Sequence, residues 1–261
     1  MDDPALGRAV FAKGIAPTAG SDFSLNGGMP TRGPNTPRLR PEELRQIDAQ
    51  LALLRSGADQ AALFRALASV VNVSQQMHSE MGWRVGGGAE WSIAQDQEQV
   101  DYYTRLVASS DIARVCETGF NAGHSVAAWL SSNAATVTSF DRMGLAYSAS
   151  TLHLLQKAFP GRLTMWPGDS LRTVPKFVAA HTLMLGESAP ATGGCDLLSI
   201  DGGHEWEVAL HDFLNLVPAA SPRALFLFDD VGCRSCDGSG PSCATKALVA
   251  SGFLEKVDHV A

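Results

Sequence analysis

The central and C-terminal parts of the chain alternate short, continuously apolar runs with longer segments whose apolar residues recur at helical spacing. A continuous apolar run predicts a strand covered on both faces, because a strand with one exposed face would alternate apolar and polar residues. Such strands separated by helices are typical of a parallel sheet with crossover helices. The predicted strands cover 113–116, 136–140, 163–166, 196–200 and 224–228, and the helices between them cover 125–132, 147–159, 170–181 and 205–217.

These elements predict an α/β fold, a doubly wound and mainly parallel sheet with N-terminal helices. Residues 1–40 are rich in Gly, Pro, Thr and Asn, and we expect a flexible or surface-lying segment there. Residues 41–94 predict a helical cap, with helices at 42–55 and 60–78 and a glycine-rich hinge at its end. The α/β domain is then expected to cover 95–261, and it begins with a helix at 95–108.

Each predicted strand ends at or near a carboxylate. Ligands of doubly wound sheets bind beyond the carboxyl ends of the strands, so these residues are candidates for a site. Asp also caps helices and forms turns, and that interpretation stays open for single positions such as Asp141 and Asp169. It explains the whole set less well, because like charges gathered at one edge would destabilise the fold. The set is Glu117, Asp141, Asp169, Asp201, Asp229 and Asp230.

The segment 116–125 carries an acid and two glycines between a predicted strand and a predicted helix. Gly119 and Gly123 allow a tight turn that a ligand can approach closely, beside the free N–H groups of a helix N-terminus. The spacing departs from the Gly-x-Gly-x-x-Gly pattern of dinucleotide-binding turns. Because Glu117 would repel a phosphate, the turn favours a ligand with positive charge and hydroxyl groups.

Three of the six acids at the strand ends are predicted to meet, because they follow two strands that are consecutive along the chain. Asp201 follows one strand, and Asp229 and Asp230 follow the next. Oxygen ligands in this number suit Mg²⁺, Mn²⁺ or Ca²⁺. Without a cation, one of the three carboxyls should have a strongly raised pKa.

The turn at 117–125, the run 201–204 (Asp-Gly-Gly-His) and the run 228–231 (Phe-Asp-Asp-Val) together resemble class I S-adenosylmethionine-dependent methyltransferases. More narrowly, they are similar to metal-dependent O-methyltransferases of the catechol and macrolide-sugar types. Asp230 stands where the catechol type usually has Asn, and His204 stands where it has a Lys base. Both differences favour the sugar-modifying branch. The resemblance spans about 95–231.

The resemblance implies S-adenosylmethionine as cofactor, a divalent cation and a small-molecule substrate with a hydroxyl group. Asp201, Asp229 and Asp230 would hold Mg²⁺, or Mn²⁺ or Ca²⁺ in its place, and His204 would remove the hydroxyl proton. Solvent exposure or helix capping is the competing explanation of His204. The residues implied at the cofactor are Glu117, Gly119, Gly123, Ser125, Asp141, Asp169 and Ser170.

Composition narrows the class of protein further. A net charge of −7 argues against nucleic-acid binding, which normally requires a basic surface. No apolar run is long enough to span a membrane, and the N-terminus lacks the apolar core of a secretion signal, so we expect a cytoplasmic enzyme. The helices of 41–94 are expected to cover the sheet or to form a homo-oligomer contact.

Several alternatives stay open at this point. A metal-independent N-methyltransferase would use the acids to bind an amine, and a noncatalytic scaffold would bind the cofactor without methyl transfer. The sequence does not separate a sugar, a polyol or a catechol as substrate. Cys233, Cys236 and Cys243 suit either zinc or free thiols, or a disulfide. The predicted C-terminal strand at 252–260 lacks the partner usual in this fold, so we expect truncation, or a strand from the N-terminal segment or another subunit.

Overall fold

The computed structural model describes residues 8–13, 39–54, 60–80, 97–108, 111–132, 135–185, 194–231 and 240–260. The proposed hinge, Cys233 and Cys236 lie outside these residues. The strands are β1 (Arg8–Lys13), β2 (Arg114–Thr118), β3 (Thr136–Asp141), β4 (Leu163–Pro167), β5 (Cys195–Ile200), β6 (Ala220–Phe228) and β7 (Leu254–Val260). The helices are α1 (Pro41–Leu54), α2 (Gln60–Glu80), α3 (Gln97–Ala108), α4 (His124–Ser132), α5 (Ser148–Ala158), α6 (Ser170–Leu185), α7 (Trp206–Leu216) and α8 (Pro241–Ala250).

The predicted fold class is confirmed, because parallel strands alternate along the chain with helices. The chain divides into two compact units. The first comprises Met1–Thr31, Arg114–Gly119 and Gly168–Ala261, and the second comprises Arg32–Ala113 and Phe120–Pro167.

In the first unit the strands lie in the order β2-β5-β6-β1-β7. β2 is parallel to β5, and β5 is parallel to β6. Ile200 is the register partner of Phe228, and the Asp229 N–H donates to the Ile200 carbonyl at 3.2 Å. The residues that follow β5 and β6 therefore leave the sheet at the same level, which brings the two acidic segments together.

β1 is an element that the sequence pattern did not predict. It runs antiparallel to both of its neighbours, β6 and β7. The N-terminal segment therefore supplies the partner strand that the predicted C-terminal strand lacked. Cys116 on β2 and Cys195 on β5 form a disulfide, which was not predicted either.

In the second unit, β3 and β4 form a parallel pair, and helices α1 to α5 pack among themselves. The apolar positions of α2 recur at helical spacing, so they form one buried face that includes Leu63, Leu67 and Val70. The Tyr103 ring of α3 stacks on Trp129 of α4 at 5.6 Å, and both side chains are buried. This packing holds the helix that follows the glycine turn.

A buried carboxylate links three helices of the second unit. Glu43 on α1 accepts hydrogen bonds from the Arg40 N–H at 2.9 Å, from the Ser74 hydroxyl of α2 at 2.9 Å and from the Ser150 hydroxyl of α5 at 2.6 Å. Three donors compensate the loss of hydration of the buried acid. Nothing in the sequence distinguished Glu43 from the exposed acids around it.

No helix among the described residues is long and apolar enough to cross a membrane.

Candidate functional site

Two carboxylates and an imidazole form a compact group at the ends of β5 and β6. Ligand atoms of Asp201, His204 and Asp230 all lie within 4.8 Å of one another. His204 Nε2 is 3.4 Å from Asp230 Oδ2. The Asp201 N–H donates to the Thr118 carbonyl at 3.1 Å, so the group is anchored to the end of β2 as well.

The turn after β6 separates the two adjacent acids. Asp230 has φ +58, a left-handed conformation that Asp tolerates better than most residues. Asp229 is buried, and its Oδ1 accepts a hydrogen bond from the Asp230 N–H at 2.8 Å. The structure therefore brings two of the three predicted metal ligands together with His204, while Asp229 supports the turn.

The donor set of this group fits a divalent cation. Carboxylate oxygens, which Asp201 and Asp230 supply, are preferred ligands of Mg²⁺ and Mn²⁺. The Ser242 hydroxyl of α8 lies 3.5 Å from the Asp230 carbonyl, and Gly240, just before α8, lies near the His204 carbonyl. α8, which the sequence pattern did not predict, therefore packs beside the group.

Gly119 joins the glycine turn to the acidic group within the first unit. It has φ +93, and a Cβ at this position would lie 1.8 Å from the Asp201 carbonyl oxygen. Only glycine permits both the left-handed conformation and this approach. Glu117, two residues earlier, is fully buried.

In the second unit, Asp141 holds the rest of the turn in place. Its Oδ2 accepts from the N–H groups of Phe120 at 2.8 Å and Asn121 at 3.2 Å, and its Oδ1 accepts from the Met143 N–H at 2.5 Å. A carboxylate offers about four acceptor positions. Asp141 thus has little remaining capacity for the ribose hydroxyls that the resemblance assigned to it, and its role there stays a prediction.

The helix that begins after the turn carries two buried polar side chains, at its first two positions. Gly123 has φ +78, and its N–H donates to the Phe120 carbonyl at 2.7 Å. Ser125 is buried. His124 is also buried, and neither ring nitrogen has a hydrogen-bond partner among the described residues. Burial lowers the pKa of His124 to about 4, so the ring is neutral at pH 7.

A tyrosine hydroxyl supports the same turn. Tyr147 donates to Asn121 Oδ1 at 2.7 Å. Burial, with a smaller contribution from Asp141, raises the pKa of Tyr147 to about 12. The phenol therefore stays protonated and able to donate.

Asp169 and Ser170 begin α6 in the first unit. Asp169 is exposed, and its Oδ1 accepts from the Leu171 N–H at 3.1 Å. Its carbonyl accepts from the N–H groups of Arg172 and Thr173. Asp169 therefore caps α6, as the competing interpretation of its sequence position expected, and a contact with adenine stays a prediction.

The glycine turn and the acidic group both lie within one stretch of the chain that matches a known protein family. Residues 116–231 match the family model described as a methyltransferase domain. This match confirms the resemblance to class I methyltransferases. A search of curated proteins found no match.

Solved structures of other proteins are similar to this chain. Cofactor-bound Rv0187 from MTB is 17% identical to this chain, with a TM-score of 0.51, and the alignment covers 82% of this chain and 85% of Rv0187. The O-methyltransferase TomG from Streptomyces achromogenes is 15% identical, with a TM-score of 0.47 and coverage of 81% of this chain and 88% of TomG. The TDP-rhamnose 3'-O-methyltransferase CalS11 is 15% identical, with a TM-score of 0.47 and coverage of 82% of this chain and 88% of CalS11. The likeness to Rv0187 shows a shared fold.

Proposed function

We propose that the protein is an S-adenosylmethionine-dependent O-methyltransferase that uses a divalent cation to methylate a hydroxyl of a small molecule. The group of Asp201, His204 and Asp230 is the observation that carries this proposal. It combines hard oxygen ligands with a titratable base at the end of two adjacent parallel strands, where ligands of such sheets bind.

The glycine turn fits a nucleoside cofactor. S-adenosylmethionine supplies a methyl group on a positively charged sulfur, which suits a turn that carries an acid rather than a phosphate-binding motif. Gly119 has no side chain, so the backbone of the turn lies directly against the Asp201 carbonyl. We assign the cofactor to the residues the resemblance implied: Glu117, Gly119, Gly123, Ser125, Asp141, Asp169 and Ser170.

We assign the cation to Asp201 and Asp230, with Asp229 next in the chain as the third predicted ligand. When bound, a divalent cation lowers the pKa of a coordinated hydroxyl. The two carboxylates would hold it through oxygen atoms already gathered at the ends of β5 and β6.

His204 is the proposed general base. Its imidazole accepts the proton of the substrate hydroxyl, for which an ordinary histidine is suited near neutral pH. Asp230 Oδ2, 3.4 Å from His204 Nε2, would orient the ring. Because His204 is exposed, the proton can pass on to water.

Methyl transfer from labelled S-adenosylmethionine to a panel of sugars, polyols and catechols tests the proposal. We expect transfer that excess chelator abolishes and added Mg²⁺ or Mn²⁺ restores. H204Q should lower kcat by about 10²-fold or more, since it removes the base. Undiminished transfer in chelator would indicate a metal-independent enzyme. Cofactor binding without transfer to any acceptor would favour the noncatalytic scaffold.

A further inference from the structure

Asp212 is a buried acid close to the proposed site to which the proposed mechanism gives no role. It lies on α7, the helix that follows the turn carrying Asp201 and His204. The side chain is fully buried, and neither carboxylate oxygen completes a hydrogen bond among the described residues. Burial raises the pKa of the Asp212 carboxyl. A buried carboxylate with no completed hydrogen bond lowers stability, so its presence calls for another explanation.

The Asp212 carboxylate packs directly against the turn that joins Asp201 to His204. A Cβ on Gly202 would lie 2.7 Å from Asp212 Oδ2 and 3.2 Å from the Thr118 hydroxyl. Glycine is therefore required at position 202 by space. The backbone of the turn lies against two polar side chains.

Two hydroxyls lie close to the same carboxylate. They belong to Thr118, the last residue of β2, and to Ser170, the first residue of α6. Both hydroxyls counteract the rise in the pKa of Asp212. Neither completes a hydrogen bond to the carboxylate. The Thr118 hydroxyl is itself buried and has no partner among the described residues. Of the charged neighbours, Asp169 raises the pKa of Asp212 further and His211 lowers it.

Asp212 thus lies where the end of β2, the start of α6 and the turn after β5 come together within the first unit. We propose that Asp212 is a positioning residue of the methyl-transfer site: its carboxylate accepts hydrogen bonds from the Thr118 and Ser170 hydroxyls and holds both segments against the turn of Asp201 and His204. A small shift of the hydroxyls completes both bonds. This inference rests on the proposed function, because Thr118 precedes Gly119 and Ser170 is an assigned cofactor residue.

D212N tests the inference through two measurements on the full chain. The affinity for S-adenosylhomocysteine, measured by calorimetry, should fall about tenfold. Asn keeps the shape of the side chain but replaces one of the two acceptor oxygens with an NH₂ group. The melting midpoint should change by less than about 2 °C, because the loss of the hydrogen bonds offsets the gain from removing a buried charge. A residue that only stabilises the fold would give the opposite pattern.

Glu43 provides the matched control, because it is a buried acid whose hydrogen bonds are complete and which lies outside the proposed site. E43Q should lower the melting midpoint by about 2–4 °C and leave S-adenosylhomocysteine affinity unchanged.

T118V tests the same contact without changing Asp212, and it combines with D212N in a double-mutant cycle. T118V removes the hydroxyl without changing the shape, and it should weaken S-adenosylhomocysteine binding several-fold. The D212N/T118V pair should lose less than the sum of the single losses. Unchanged affinity in both single variants, or strictly additive losses, would overturn the inference.

The wild-type protein separates this inference from the proposed function. If it binds S-adenosylhomocysteine but not Mn²⁺, the metal proposal fails while the variants still decide the role of Asp212. If it does not bind S-adenosylhomocysteine, both fail.

Discussion

At the scale of single residues, the backbone conformation of Asp230 determines which acid joins His204. The left-handed turn at Asp230 places its carboxylate in the group, while Asp229 accepts the hydrogen bond that holds the turn. Charge at Asp230, more than at Asp229, should therefore govern metal binding.

D230N removes this charge while keeping a residue that tolerates the left-handed conformation. We expect Mn²⁺ affinity, measured by the paramagnetic resonance of free Mn²⁺, to fall about tenfold or more. The melting midpoint should change little. D48N on α1, which removes an exposed acid, should leave Mn²⁺ affinity unchanged. Equal affinity of D230N and the wild type would exclude Asp230 as a ligand.

His124 makes stability depend on pH. Its pKa is lowered from 6.5 to about 4 in the folded protein, so the unfolded chain binds the proton more tightly. Stability is therefore fully present above about pH 6.5, falls as pH decreases towards about 4, and loses about 3 kcal/mol over that window.

Chemical denaturation of H124Q between pH 7.5 and 4.5 checks this expectation. The glutamine does not titrate, so the fall in unfolding free energy should shrink by most of that amount. H211Q, which replaces an exposed histidine of α7, should keep the wild-type profile. An unchanged profile in H124Q would show that His124 does not bind a proton on unfolding in this range.

The role of a residue could be predicted from the sequence where it follows from the residue type and its position along the chain. Asp201 and Asp230 were singled out by their positions after predicted strands, and His204 by the resemblance to metal-dependent O-methyltransferases. The support that Asp229 gives to the turn was not, because it depends on one backbone angle. Asp212 was missed because an acid within a helix usually faces water.

At the scale of elements, the close approach of the β2 and β5 ends organises the first unit. Gly119 makes this approach possible, since any side chain would collide with the Asp201 carbonyl. The cofactor turn and the acidic group are therefore coupled through backbone contact.

G119A should disrupt this coupling. The positive φ alone costs an alanine about 1–2 kcal/mol, and the clash with Asp201 adds to that. G252A is a matched control, because Gly252 has φ +76 with no atom within 4 Å of a Cβ. The excess loss of unfolding free energy in G119A over G252A measures the close approach, and equal losses would contradict it.

The parallel strands could be predicted because each is a continuous apolar run, which double burial requires. β1 could not, because six residues in a Gly- and Pro-rich region carry a weak pattern and their partners, β6 and β7, are distant in sequence. α8 was missed because the cysteines around it favoured a loop or a metal site.

At the scale of the whole molecule, residues 116–231 match a methyltransferase domain. The net charge of −7 predicts a small-molecule substrate rather than a nucleic acid, and this stays a prediction. The acidic group is central to the proposed function. Asp201 and His204 follow β5 and Asp230 follows β6, so the three residues meet because these two strands are adjacent.

The most direct test is a crystal structure with Mn²⁺ and S-adenosylhomocysteine, with the metal located by anomalous scattering at the manganese edge. We predict one peak within coordination distance, about 2.0–2.3 Å, of carboxylate oxygens from Asp201 and Asp230. A structure with bound S-adenosylhomocysteine and no peak there, or with a peak at another site, would contradict the proposed metal-assisted methyl transfer.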